Sequence, residues 1–271
     1  MKNGIYKTLL ALSALIAVVS CRKTLESSRF EEFELTDSYG MTRKCGIYLP
    51  EGMDPKSQYP VIFMEDGLVF KESGIRKYLD SLIFYRAMDP VIVACAYENK
   101  MTIPGYRIAY RNAEYVEEIA KTDVELAKLF DQHYSYFKEE FIPYITKNYP
   151  VSAKPADRIY FGTSNSADFG ITMSMRDPQL FSEFWCFSPV YSNISEYGAI
   201  ATPVKYSICW GVKEEVGMSD YFPTLVKDIR KRGGDVKSWS YSGGHDREWW
   251  RYWFCEELMR RFPYSNSQIK Q

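Results

Sequence analysis

The chain is 271 residues long, 46% hydrophobic and 25% charged, the profile of a soluble folded protein. With 34 basic and 35 acidic residues, and no basic run longer than Arg230–Lys231–Arg232, it presents no face for nucleic acid. Two histidines, His133 and His245, argue against a His-rich zinc site, and the six cysteines have no CxxC spacing for metal or redox chemistry.

Residues 1–20 hold Lys2 and Lys7, no acid, and an apolar run from Leu9 to Val19. That run is shorter than the roughly 20 residues a membrane-spanning helix needs, and it reads as a secretory signal. It ends Val18-Val19-Ser20-Cys21, which resembles a bacterial lipoprotein signal whose Cys21 takes a lipid after cleavage. The alternative is a plain secretory signal with an incidental cysteine. Residues 22–28 are polar and read as a tether, 29–263 as one domain, and 264–271 as a polar tail. The expected location is the cell envelope, lipid-anchored and facing the periplasm or the cell surface. Of the remaining thiols, Cys95, Cys186 and Cys209 lie in apolar runs and read as core residues.

Past the tether, Phe30–Leu35 and Arg43–Leu49 suggest an antiparallel pair turned at Ser38-Tyr39-Gly40. Residues 59–67 (YPVIFMEDG) form a strand and turn, 70–88 a helix, and 90–97 (PVIVACAY) a strand. Leu126, Phe130, Tyr134, Phe137, Phe141 and Ile145 predict an amphipathic helix over 122–149, kinked or broken at Pro143. Strands follow at 158–162, 183–189, 204–211 and 236–241, with helices at 166–175, 219–232 and 246–261, the last burying Trp250, Phe254 and Leu258. The alternation predicts an α/β fold whose mostly parallel sheet is covered by helices on both faces, with chemistry at the carboxyl ends of the strands.

Three segments fall at such ends. Gly162-Thr163-Ser164-Asn165-Ser166-Ala167 places a serine between small residues, after a strand and before a helix, as a nucleophile elbow requires. Ser164 as a simple helix N-cap is the structural alternative. Gly243-Gly244-His245-Asp246 puts a histidine on a flexible loop that opens the final helix. Gly211-Val212-Lys213-Glu214-Glu215 offers an acid to orient that imidazole, with Glu214 first and Glu215 or Asp246 as alternatives. His133, within a charged helix, reads as a surface residue. Arg111 and Glu114 read as a buried pair, and Trp185, Tyr191, Trp210 and Trp249 as packing residues rather than a ligand cleft.

From about Arg43 to Phe262 the chain resembles the putative-esterase family of α/β-hydrolases, which includes enterochelin esterases, S-formylglutathione hydrolases, feruloyl esterases and mycolyltransferases. The resemblance rests on IYLPEGMDPKSQYPVIFMEDG, the RxxEY segment at Arg111–Tyr115, FKEEFIPYITKNYPV, FGTSNSA, FWCFSP and GGHDREWWR, with MEDGLVF and the closing GHD and Trp250-Arg251 nearest the enterochelin-esterase branch. It departs from the family in having Ser166-Ala167 for Gly-Gly, and Glu where Asp is commoner. It implies an α/β-hydrolase fold and cofactor-free, metal-free ester hydrolysis. In that reading Ser164 is the nucleophile, His245 the base, Glu214 the acid, and the backbone N–H groups of Asn165 and of Gly67 or Leu68 form the oxyanion hole. A siderophore ester or an acylated glycan is the expected substrate. An acyltransferase using the same residues, or a silent lipoprotein that binds a siderophore or glycan, are the alternatives.

Overall fold

The computed structural model describes residues 27–54, 56–215 and 218–265, so Cys21 lies outside the described residues. Eight strands form one sheet in the order β1-β2-β4-β3-β5-β6-β7-β8. β1 (Arg29–Thr36) and β2 (Thr42–Leu49) pair antiparallel with Phe33 opposite Cys45, and β2 joins β4 (Ile92–Ala96) antiparallel. From β4 onward β3 (Val61–Met64), β5 (Arg158–Thr163), β6 (Glu183–Phe187), β7 (Lys205–Gly211) and β8 (Asp235–Tyr241) run parallel. This is the predicted fold, an α/β-hydrolase-type sheet with its N-terminal antiparallel pair.

Successive residues of a strand point to opposite faces, and here both faces are buried. Val61 and Phe63 enter one core with Tyr160 and Phe184, whereas Ile62 and Met64 enter the other with Phe161, Trp185 and Phe187. The first core lies beneath α5 (Val124–Ser135), α6 (Ile142–Asn148), α7 (Asn165–Arg176) and α8 (Met218–Lys231). The second is covered by α1 (Gly67–Glu72), α2 (Ile75–Phe84) and α9 (Arg247–Arg261), which buries Trp250, Phe254 and Leu258 as its spacing predicts. Cys45, Cys95, Cys186 and Cys209 are buried free thiols.

Three details differ from the sequence reading. The helix expected over 70–88 is divided between α1 and α2 at Ser73-Gly74, where Gly74 takes φ 69°. The long helix expected over 122–149 changes winding at a π-helical turn, Tyr136–Phe141, ahead of Pro143. Pro143 then sits in the first turn of α6, where a missing N–H costs nothing. Two short helices, α3 (Tyr110–Tyr115) and α4 (Glu117–Ala120), fill a stretch without an apolar period. At the chain's entry, Ser28 is already part of the domain, its Oγ donating to Asp80 Oδ2 at 2.7 Å. Among the described residues no helix is long and apolar enough to cross a membrane.

The connection from β3 leads to β4 on one side, and the chain then crosses to β5 on the other. Reversals of this kind leave a crevice at the carboxyl ends of the strands. Ser164 follows β5 there, facing the Asp66-Gly67 turn after β3.

Candidate active site

Ser164 stands between β5 and α7 with φ 56° and ψ −128°, a conformation that costs a non-glycine residue about 1–3 kcal/mol. The turn is held from both sides. Ser164 N–H donates to the Phe187 carbonyl at 3.0 Å, and its own carbonyl accepts from Ala167 N–H at 2.8 Å. The chain crosses itself so closely that a Cβ on Gly162 would lie 2.3 Å from the Ser166 carbonyl oxygen. Ser166 fits where the family pattern has glycine because its hydroxyl closes the turn. Its Oγ accepts from Thr163 N–H and donates to the Thr163 carbonyl, both at 2.8 Å. Ser164 is thus an elbow residue and provides no side-chain cap for α7.

His245 reaches this serine from the loop after β8, with Nε2 2.9 Å from Ser164 Oγ. That loop packs on the end of β7, where a Cβ on Gly211 would come within 2.3 Å of the Gly243 carbonyl. His245 Nδ1 lies 3.1 Å from Glu214 Oε2. The other carboxylate oxygen of Glu214 accepts from Ser188 Oγ at 2.6 Å and from Gly211 N–H at 2.8 Å. Burial works against the charge of Glu214, but hydrogen bonds from His245, Ser188 and Gly211 outweigh it and hold the carboxyl below the ordinary glutamate value. The two alternative acids stand elsewhere. Asp246 caps α9 through Glu248 N–H at 2.8 Å, and Glu215 is exposed.

Ser188 went unnoticed in the sequence, although it lies in the FWCFSP segment. It follows β6 with φ 51°, donates to Glu214, and accepts from the indole N–H of Trp250 at 3.0 Å. The Trp250 ring also stands edge-on to His245, with centroids 4.6 Å apart. One tryptophan of the last helix therefore buttresses both His245 and the Ser188 hydroxyl that holds Glu214.

On the opposite side, Asp66 takes φ 58° and opens α1 at Gly67, where a Cβ would sit 2.5 Å from Tyr97. Of the two donors expected here, Leu68 N–H is committed to Glu98 Oε2 at 3.2 Å, which leaves Gly67 as the better candidate. Asn165, the other expected donor, is buried in the first turn of α7, where backbone N–H groups lack helical partners. Arg111 does not pair with Glu114. Its guanidinium grips Asp66 bidentately at 2.5 and 2.6 Å and so fixes the turn, while Glu114 binds Arg43 at 2.9 Å.

His133 is not a surface residue either. It is 1% exposed, and its Nε2 lies 2.9 Å from the buried Glu65 Oε1, one residue before Asp66. Burial pushes Glu65 up to about 8, while burial and the nearby Arg43 push His133 down to about 3. Both shifts favour the uncharged forms, a carboxylic acid beside a neutral imidazole.

Next to Thr163, the residue before Ser164, lies a small and mostly apolar cleft lined by Met64, Phe70, Phe161 and Phe254 together with Asp66, Arg247 and Arg251. Three of the four aromatic residues read as packing do pack: Trp185 is fully buried, Trp210 stacks on Phe222 at 5.1 Å, and Trp249 on Tyr241 at 5.3 Å; the fourth, Tyr191, does not, and lines a surface cavity with Tyr221 and Asp228. Tyr191 is exposed. Among the described residues no cluster of His, Cys, Asp or Glu is arranged to hold a metal ion.

No curated protein sequence matches the chain. Its fold is that of several solved esterases. A ferulic acid esterase superposes with a TM-score of 0.66 at 14% identity, covering 88% of this chain and 99% of the other. The feruloyl esterase module of Clostridium thermocellum superposes at 0.59 and 16% identity, covering 90% of each chain. The enterobactin esterase of Shigella flexneri superposes at 0.67 and 15% identity, covering 89% of this chain and 60% of the other. The family model described as "Putative esterase" matches residues 36–221, more than half of the sequence. The chain therefore belongs to the putative-esterase family of α/β-hydrolases and is a carboxylic-ester hydrolase.

Proposed function

We propose that this esterase works through an acyl-enzyme on Ser164 and acts on an aromatic-acyl ester, a siderophore ester or an acylated glycan, at the outer face of a membrane that holds it by a lipid on Cys21. The observation that carries the mechanism is the hydrogen-bonded line from Ser164 Oγ through His245 to Glu214, anchored on the strained turn. Ser164 Oγ attacks the ester carbonyl carbon as its proton passes to His245 Nε2. Glu214 holds Nδ1–H and stabilises the imidazolium that results. The carbonyl oxygen, now an anion, takes hydrogen bonds from the backbone N–H groups of Asn165 and Gly67, each worth about 3–4 kcal/mol in comparable sites. His245 returns its proton to the departing alkoxide, and the acyl group remains on Ser164. Water, deprotonated by His245, then releases the acid and restores the serine.

The apolar cleft next to the Ser164 turn and the names of the ferulic acid and feruloyl esterases among the fold neighbours support an aromatic acyl group. A fluorophosphonate probe tests the mechanism: an adduct on Ser164 that His245→Ala abolishes is expected, and no adduct on the folded protein sinks it. Aryl, feruloyl and trilactone esters offered side by side then rank the substrates. For the anchor, growth with a clickable fatty acid should label the chain, and labelling that persists in Cys21→Ala rules the anchor out.

A further inference from the structure

We propose that the face of the domain opposite the active site rests on the membrane surface, with Phe84 and Tyr85 at the end of α2 inserted among the lipid headgroups. The proposal rests on the Cys21 anchor. It goes beyond it by assigning which face meets the membrane and which residues touch it.

The argument begins with where the chain enters the fold. β1 starts at Arg29 opposite Leu49, and β4 starts at Ile92 beside Val61. The entry point therefore lies at the amino edge of the parallel strands, across the sheet from Ser164. Ser28 is fastened there to α2, accepting from Arg76 Nε at 3.0 Å and donating to Asp80 at 2.7 Å. Arg76, Asp80 and Phe84 are spaced four apart, so they share one stripe of α2. Phe84 stands about 6 Å further along that stripe.

α2 runs away from the active site. Ser73 and Ile75, at its start, line the cleft beside Ser164, and the segment after its end bridges Met88 to Pro263 before β4 begins. Its far end carries the two most exposed aromatic side chains of the described residues, Phe84 at 75% and Tyr85 at 78%, packed edge to face with centroids 5.1 Å apart. Exposed Arg86 follows them in the chain, its guanidinium over the Tyr264 ring at 5.6 Å, and exposed Lys77 lies two turns back along α2. Aromatic rings beside lysine and arginine are the side chains that settle at a membrane–water interface.

The helix end that presents them is firmly closed. Arg86 takes φ 56°, Arg86 N–H bonds the Ile83 carbonyl at 3.0 Å, and Ala87 N–H bonds the Leu82 carbonyl at 2.8 Å. That is a Schellman cap with arginine where glycine is usual. The left-handed residue fixes where the helix ends and so holds the two rings out beyond it. Seven peptide steps separate Cys21 from Ser28, a reach of at most about 25 Å, so a lipid on Cys21 keeps this face at the bilayer. At such an effective concentration two interfacial rings suffice to set the orientation. The candidate active site then opens away from the membrane, toward a soluble or polymeric ester.

The test is hydrogen–deuterium exchange on the lipidated full chain, in detergent and after reconstitution into vesicles of phosphatidylethanolamine and phosphatidylglycerol. Vesicles should protect amides of 82–88 and leave those around 66–73 and 244–250 unchanged. In Phe84→Ser/Tyr85→Ser that protection should be lost, while ester hydrolysis in detergent stays at the wild-type rate. Protection at the active-site rim instead, or none at 82–88 in a chain shown to carry lipid, overturns the orientation and leaves the anchor standing. A chain that carries no fatty acid overturns both.

Discussion

Ser188 shows how a residue with no chemistry of its own can decide which acid serves the histidine. Its hydroxyl and the Gly211 N–H fill one oxygen of Glu214 and turn the other toward His245. Glu214→Gln should lower kcat by roughly 10³–10⁴-fold, because the wrong partner then faces Nδ1. Asp246→Asn should leave kcat within a few-fold of wild type, since that side chain caps a helix. Steady-state rates on one aryl ester compare the two, and the reverse order would hand the acid's role to Asp246. Ser164→Ala should keep the fold and cost at least about 10⁴-fold in turnover. The sequence made Ser164, His245 and Glu214 legible because each follows a strand in a small-residue loop. His133 was misread because its partner Glu65 lies 68 positions away, beyond any helical period. That pair makes stability depend on pH. Below about pH 4.5, stability rises with pH as His133 loses a proton more readily in the fold than in the unfolded chain. Above the ordinary histidine value it falls, as the unfolded chain is already ionised at Glu65 and the folded one resists ionisation up to about 8. In Glu65→Gln, which can still donate to His133, the alkaline decline in Tm should disappear; a decline as steep as wild type would mean Glu65 is ionised in the fold.

At the scale of elements, the elbow is a crossing of two backbones with no room between them. Gly162→Ala would put a methyl group against the Ser166 carbonyl, so it should destabilise by about 1–3 kcal/mol or more and lower turnover by displacing Ser164. Urea melts read the first effect, and the rate per folded molecule reads the second. Ser166→Gly should cost less, because it removes only the hydroxyl bridge to Thr163. Strands could be read in the sequence because short apolar runs ended in turn residues. The helices α3 and α4 could not, because long-range contacts hold them: Arg111 on Asp66, Glu114 on Arg43, and Glu117 on Arg176. The π-helical turn was hidden for a related reason. An extra residue in a helix leaves the apolar pattern nearly intact while rotating everything after it. Here the rotation keeps Tyr136, Phe137 and Phe141 all in the core.

Across the whole molecule, the side chains of the candidate site, Ser164, Ser188, Glu214 and His245, follow the carboxyl ends of four strands, so the sheet supplies the rigidity that the loops lack. Synthesis runs from the N-terminus, so Trp250 is made after all of them. Residues up to Asp246 include the serine, the histidine and the acid, yet Ser188 gains its indole donor and the second core gains Phe254 and Leu258 only with α9. A chain ending at Asp246 should therefore give no fluorophosphonate adduct, although the serine, the histidine and the acid are all present in it; labelling at the full-length rate would show that α9 is dispensable. On that expectation the last fifteen helical residues are a built-in delay, and an unfinished chain is harmless to the esters around it.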